Sequence, residues 1–270
     1  MEKILNYKGE IVPIQNIGLS ERFLFLERLD TIQSDKTTSD IMKTKKAAPH
    51  LNCQFCEARE KSVFCELTKE DASVLSEWKE CTLFGKHQII FKENAYPHGL
   101  FCINSGKIKL YQMVENGREQ IVRLAKTGDI LGYRSLLSGE KYSATAEAIE
   151  ESSVCFIPEN HFFKLLEANI AISKGIMKIL AGDLKNAEHR IVELAQKPVR
   201  ERMSGTLSYL KEVYGLEKDN ATINVVVRRE DIANIAGTAT ETAIRILADL
   251  KNEGIIQFIG KKIKIAKMRA

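Results

Sequence analysis

Long apolar runs are missing from this sequence. No stretch of its 270 residues approaches the roughly 20 consecutive apolar residues of a membrane helix, and the N-terminus lacks the continuous apolar core of a secretory signal. A cytoplasmic chain with no membrane partner is expected. Catalytic spacing is missing as well. His50, His87, His98, His161 and His189 are scattered, with no H-E-x-x-H pair, and no glycine-rich phosphate loop opens a helix. No catalytic residues are expected, and an enzyme reading finds no support. Net charge is slight, with 40 Lys and Arg against 36 Asp and Glu.

What is present begins with the placing of that charge. From Pro198 onward 13 Lys and Arg face 9 Asp and Glu, leaving 27 against 27 upstream. Between 251 and 270, Lys251, Lys261, Lys262, Lys264, Lys267 and Arg269 stand against the single acid Glu253, a concentration suited to a polyanion or, more blandly, to a solvated tail. A hydrophobic share of 44% with 28% charged residues is globular, and the length predicts two folded domains. The six cysteines, in a compartment that keeps thiols reduced, argue against a disulfide framework and toward metal binding or redox sensing.

Residues 1–50 read as a disordered or misannotated extension, because 33–46 is almost wholly Ser, Thr, Asp and Lys. Residues 51–158 read as a cysteine-bearing segment and a sensory β domain. Thr68 caps a helix running to Trp78. Short runs rich in Ile, Val, Phe and Tyr then recur at 88–91, 100–103, 107–113, 120–124, 144–148 and 154–157, the pattern of a sandwich or small barrel. Residues 159–196 give a short helix and a long one. In the long one, 171–196, Ile172, Ile176, Leu180, Leu184, Ala187, Ile191 and Leu194 follow gaps of 4, 4, 4, 3, 4 and 3, close to a coiled-coil seam. A second copy of the chain is the expected cover, its own sandwich the alternative.

Residues 197–270 carry the sharpest pattern. After a helix at 202–214 and a β-branched strand at 222–227, Arg229 to Ala236 predicts a helix, Gly237 a turn, and Thr240 to Asn252 a second helix. A hairpin of 255–258 with 262–265 follows, around Gly260 and Lys261. Helix, tight turn, helix and wing form a reader of double-stranded DNA. Thr240, Glu241, Ile244 and Arg245 take the exposed early face of the second helix. Arg245 can donate to guanine O6 and N7, and Glu241 can accept from cytosine N4. The local alternatives are an i, i+4 ion pair between these two, or a capping box of Thr238 with Glu241. Arg228, Arg229, Lys261 and Lys262 complete the expected DNA-contacting set.

Arg229 to Leu250, REDIANIAGTATETAIRILADL, resembles the helix-turn-helix of the CRP/FNR regulator family. The whole of Cys53 to Ile265 follows that family's order, with the turn GDILGYRSLLSGEKYSA, the strand end SSVCFIP and the long helix. The resemblance implies an α+β fold: a cyclic-nucleotide-binding-like β-sandwich of the jelly-roll kind, a long dimerisation helix and a C-terminal winged helix-turn-helix. It implies a homodimer on a palindromic operator, with RNA polymerase as a further partner, and contacts from Glu241 and Arg245 to the G·C core of each half-site. Two positions depart from the pattern. Ile244 stands where FNR-type members have a serine, and Ala239 replaces the usual Ser or Thr cap, so the first turn is expected to begin at Thr238.

Cyclic AMP is not expected. Tyr133 stands where cyclic-AMP-binding members carry a glutamate, and Tyr142-Ser143 replaces an Arg-Ser pair, so the bidentate phosphate clamp is gone and both tyrosines read as core. Cys53-x-x-Cys56, with Cys65 beyond it, puts three thiols on one short segment, and a tetrahedral sulfur site or a cubane needs a fourth. Cys155, in SSVCFIP, resembles the fourth ligand of the oxygen-labile 4Fe-4S cluster of FNR-type proteins. The resemblance thus implies Cys53, Cys56, Cys65 and Cys155 as ligands and a place nearer the FNR-type branch, although the interval from Cys56 to Cys65 is longer than usual. Zinc, a thiol switch and an unidentified small ligand are the alternatives, and Cys81 and Cys102 read as small buried hydrophobes. With no acid at the centre of its seam, the chain is expected to dimerise in part even without metal.

Overall fold

A computed structural model describes residues 3–5, 11–13, 52–115 and 117–266. The chain forms two units, Met1–Lys45 and Lys46–Ala270. In the first, β1 (Lys3–Leu5) pairs antiparallel with β2 (Ile11–Pro13). Ile4 stands opposite Val12 and Leu5 opposite Ile11, types that favour extended backbone. The rest of the extension lies outside the described residues.

The second unit opens with a tight turn at Cys53–Phe55, helix α1 (Glu57–Glu60), another turn at Val63–Glu66, and α2 (Lys69–Trp78). Thr68 caps α2 as expected, its Oγ1 accepting from the Asp71 N–H at 3.1 Å. Eight strands follow: β3 (Glu80–Phe84), β4 (Ile89–Phe91), β5 (Gly99–Ser105), β6 (Lys107–Met113), β7 (Glu119–Lys126), β8 (Ile130–Leu131), β9 (Thr145–Ala148) and β10 (Ser152–Pro158). They form two antiparallel four-stranded sheets, in the orders β3-β10-β5-β8 and β4-β9-β6-β7. Phe84, Ile103, Leu131 and Val154 from one sheet share a buried core with Ile90, Leu110, Ala125 and Ala146 from the other, which is the sandwich that the strand spacing predicts. The chain passes from sheet to sheet at Gly106, where φ is +107° and a Cβ would fall 2.1 Å from Ser152 Oγ. No other residue type fits there.

A short helix, α3 (Tyr133–Ser138), precedes β9, and α4 (Glu159–Ala168) leads into α5 (Ile170–Gln196). The apolar seam of α5 divides, which corrects the continuous partner-facing stripe. Ile172 and Ile176 are 0% and 2% exposed, packed in their own chain with Phe64, Phe162 and Leu165, and Leu180 lies against the same core. Beyond them Leu184 and Ile191 are 63% and 66% exposed, and Ala187 is exposed.

The C-terminal part comprises α6 (Val199–Tyr214), α7 (Arg229–Ala236), α8 (Thr240–Asn252) and the hairpin β11 (Ile256–Ile259) with β12 (Lys262–Ile265). Met203, Leu210, Ile232, Leu247, Leu250 and Ile263 bury one another, and this core runs on into Tyr111, Ile121 and Leu124 of the sandwich. The strand expected at 222–227 is corrected. Only isolated bridges form there, Leu216 with Ile223 and Thr222 with Lys264, because Ile223, Val225 and Val227 are drawn into the helical core. Among the described residues no helix is long and apolar enough to cross a membrane.

Candidate nucleic-acid interface and cysteine cavity

Gly237 makes the turn between α7 and α8 with φ +63°, and a Cβ there would meet Leu194 Cδ2 at 2.8 Å. Leu194, expected on the dimer seam, thus faces the turn of its own chain. Arg202 clamps that turn: its Nε donates to the Ala236 carbonyl at 2.9 Å and its Nη2 to Gly237 at 3.2 Å. Arg190 of α5 donates to the Ile235 carbonyl at 2.8 Å, so the far end of the long helix grips α7. Sequence reasoning missed both arginines, since a cation bonded to backbone carbonyls leaves no pattern in the sequence.

On α8, Ala243, Ile246, Leu247 and Leu250 are buried, which turns Glu241, Ile244 and Arg245 to solvent with Thr240 half-buried beside them. Ala239 is the N-cap and makes no side-chain cap bond, which corrects the expected start at Thr238 and removes the capping box. The i, i+4 ion pair does not form among the described residues either, so neither side chain is used locally. The remaining expected contacts are more occupied. Arg228 donates through Nε and Nη2 to both oxygens of Asp231, at 3.0 and 2.9 Å. The Arg229 guanidinium lies 4.4 Å over the Phe258 ring, Lys262 is ion-paired with Glu217, and Lys261 is exposed at the tip of the wing.

A buried charge ties this part to the sandwich. Lys109 of β6 is 1% exposed, and its ammonium pairs with Glu119 of β7, with Glu147 of β9 at 3.7 Å and with Asp231 of α7 at 3.2 Å. Burial works against the charge on Asp231, but hydrogen bonds from Arg228 and the neighbouring Lys109 outweigh it and hold the carboxyl below its ordinary value. This network was not anticipated; Lys109 sits inside the apolar run KIKLYQM and reads as a surface residue of a strand.

Tyr133 and Tyr142 are buried, at 1% and 5% exposed, as pocket-filling core should be. Tyr142 stacks on Phe91 with ring centroids 4.0 Å apart. Tyr133 donates to Asp183 of α5 and accepts from Arg123 Nη1 at 3.0 Å. Burial, with Asp183 alongside, pushes its phenol up to about 12. Asp183, the acid next to Leu184, is therefore turned toward its own sandwich.

The cysteines do not assemble as the sequence set them. Cys53, Cys56, Cys102 and Cys155 line a small cavity of about 40 Å³ together with Lys79 and Asn104. Cys56 Sγ donates to Asn104 Oδ1 at 3.3 Å, and burial beside Cys53 pushes the Cys102 thiol far above its usual range. Arg59 organises the loop around them, donating to the carbonyls of Cys53, Phe64 and Leu67 at 2.8, 3.2 and 3.3 Å. Cys65, an expected ligand, is exposed and lies outside the cavity. Cys155 is disulfide-bonded to Cys81, which corrects the expectation against disulfides and the reading of Cys81 as an inert hydrophobe; antiparallel pairing sets the two residues opposite each other. The arrangement does not fit a 4Fe-4S cubane. Its space equals a few water molecules, one ligand faces solvent, another is committed elsewhere, and among the described residues no three Cys, His, Asp or Glu are placed to share a metal ion.

A sandwich with Tyr133 and Tyr142 buried in it, a long helix, and a helix-turn-helix with a hairpin beyond it and an exposed face on its second helix are the parts of a DNA-binding regulator. The cyclic nucleotide-binding domain family matches residues 82–169, and the Crp-like helix-turn-helix domain family matches residues 201–270. The chain belongs to the CRP/FNR family of transcription regulators. It is similar to Electron transport regulator A of Shewanella oneidensis, 31% identical over 181 residues that cover 67% of this chain and 72% of the relative. It is also similar to the Regulatory protein HlyX of Actinobacillus pleuropneumoniae, 28% identical over 235 residues, 86% of this chain and 98% of the relative. Among solved structures, FixK2 from Bradyrhizobium japonicum shares the fold with a TM-score of 0.63 at 24% identity, covering 70% of this chain and 93% of that one.

Proposed function

We propose that the chain is a homodimeric, redox-responsive transcription regulator that reads a palindromic operator. The sensory part is residues 51–158, pairing is through the outer half of α5 within 159–196, and reading is by 197–270, with RNA polymerase contacted at the promoter. The observation that carries this reading is the pair Glu241 and Arg245, exposed, without local partners and fixed by the core beneath α8. Selection of random duplexes by the purified protein tests it. The expected result is a palindrome with G·C in each half-site, and loss of about 1–3 kcal/mol of discrimination there on Arg245→Ala. Binding that depends on salt but not on sequence would overturn it.

For the input, names such as Anaerobic regulatory protein, given to the relatives of Bacillus subtilis and Pasteurella multocida, support redox control. A 4Fe-4S cluster is one reading, supported by those relatives and by Cys53-x-x-Cys56 but not by the cysteine arrangement in this conformation. It requires Cys155 released from Cys81 and Cys65 turned inward. Thiol oxidation is the second reading, favoured by the bond between Cys81 and Cys155. Purification without oxygen, with iron analysis and visible absorbance before and after air, separates them: iron and a band that bleaches support the cluster, and iron-free, colourless protein supports the thiols.

A further inference from the structure

We propose that Cys81 and Cys155 form a reversible redox site whose oxidation takes the Cys155 sulfur out of thiol chemistry beside the cysteine cavity. The proposal deepens the reading above, resting on the cysteine-bearing end being the sensory input. Cys155 lies on the inner strand β10, with Cys81 of the edge strand β3 opposite it on one side and Cys102 of β5 opposite it on the other. Directly opposed residues share a face, so three thiols stand in one row across three strands. Cys155 and Cys102 line the cavity with Cys53 and Cys56, whereas Cys81 does not. The Cys155 sulfur thus has two possible states beside the cavity, bonded to Cys81 or a free thiol.

The sheet makes the bond to Cys81 easy. Five consecutive pairs, from Ser152 opposite Phe84 to Phe156 opposite Glu80, fix the register, and the Cα atoms of Cys81 and Cys155 are 4.0 Å apart. Reduction therefore leaves the two thiols side by side, and their reaction is intramolecular. Cys155 is 4% exposed, while Cys81, half-buried on an edge strand, is the thiol that an oxidant from solution meets first. With a hydroperoxide as oxidant, the Cys81 sulfur attacks the peroxide, an S–O bond forms as the O–O bond breaks, and one water or alcohol leaves with the thiol proton. The Cys155 sulfur then attacks Cys81, the S–S bond forms, and the S–O bond breaks to release water. Two electrons pass from the thiols to the peroxide. A dithiol returns them by exchange, freeing both sulfurs and becoming a disulfide itself.

The test uses the full chain, reduced without oxygen, then given one equivalent of hydrogen peroxide, alkylated and digested without reductant for mass spectrometry. A linked Cys81–Cys155 peptide, loss of Cys155 alkylation, and recovery of both thiols with dithiothreitol are expected. In Cys81→Ser, Cys155 stays alkylatable after peroxide while Cys102→Ser behaves as the parent. Persistence of Cys155 alkylation in the parent, or its linkage to Cys102, Cys53 or Cys56 instead, overturns the proposal. Circular dichroism confirms that the variants fold. Operator affinity before and after peroxide is read separately: an unchanged affinity with the linked peptide present overturns the sensory reading and leaves the redox pair standing.

Discussion

The two halves of α5 carry the same apolar period and have opposite fates. Ile172 and Ile176 are sealed against α4 and the turn at Val63–Glu66, whereas Leu184 and Ile191 lie open. The crossover falls at Asp183, which Tyr133 and Arg123 hold against the sandwich. A heptad-like stripe therefore reports that a helix face is buried without saying by what. The inner half is part of the chain's own fold, and the outer half, with Leu184 and Ile191 exposed, is the face that the proposed homodimer would cover.

The sharpest way to break this comparison is to truncate each half. Ile176→Ala should cost about 2–4 kcal/mol in denaturant unfolding, by lost burial and a residual cavity. Ile191→Asp should leave that stability nearly intact and abolish self-association in sedimentation; equal destabilisation by both would erase the distinction. Next comes the charge buried between sandwich and α7. Asp231→Ala should cost about 2–3 kcal/mol, because Arg228 loses its bidentate partner, keeping only the longer pairs with Glu119 and Glu230, and Lys109 keeps two carboxylates rather than three. Since the folded carboxyl of Asp231 is held below its unfolded value of about 3.9, its contribution is present above that pH and fades as pH falls through the lower folded value. Unfolding of the parent and of Asp231→Asn between pH 3 and pH 7 should therefore converge at the acid end.

Tyr133→Phe, at the crossover itself, removes the hydroxyl shared by Asp183 and Arg123 and should lower stability by about 1 kcal/mol in thermal unfolding. The smallest effect is expected at the surface. Arg200 and Glu253 form an ion pair with both side chains nearly half exposed, and Arg200→Ala should change stability by about 0.5 kcal/mol or less.

The fold was legible wherever one physical signal sufficed. Strand β6, helix α7 and strand β12 follow from periodicity and turn residues down to their end residues, and helix α8 down to its C-terminal one. The strand β8, two residues long, and the helix α3 were not, since neither is long enough for a period to show. The exposed face of α8 was legible because the buried Ala243, Ile246, Leu247 and Leu250 define its opposite. The cysteine cavity was not, because Cys81 and Cys102 become neighbours of Cys155 only through strand order, which spacing along the chain does not encode. Lys109 was missed for a related reason: its three carboxylates come from separate elements, one of them 122 residues away.

That lysine also bears on how firmly α7 is seated against the sandwich. Its ammonium is shared between acids of the sandwich and one acid at the head of α7, with almost no water in reach. A tilt of α7 would part Lys109 from Asp231 while Arg228, at the head of the same helix, kept its two bonds to that carboxylate, so the loss would fall on the lysine, left with Glu119 and Glu147. The buried lysine thus acts as a latch, favouring the seated position of α7 over any displaced one.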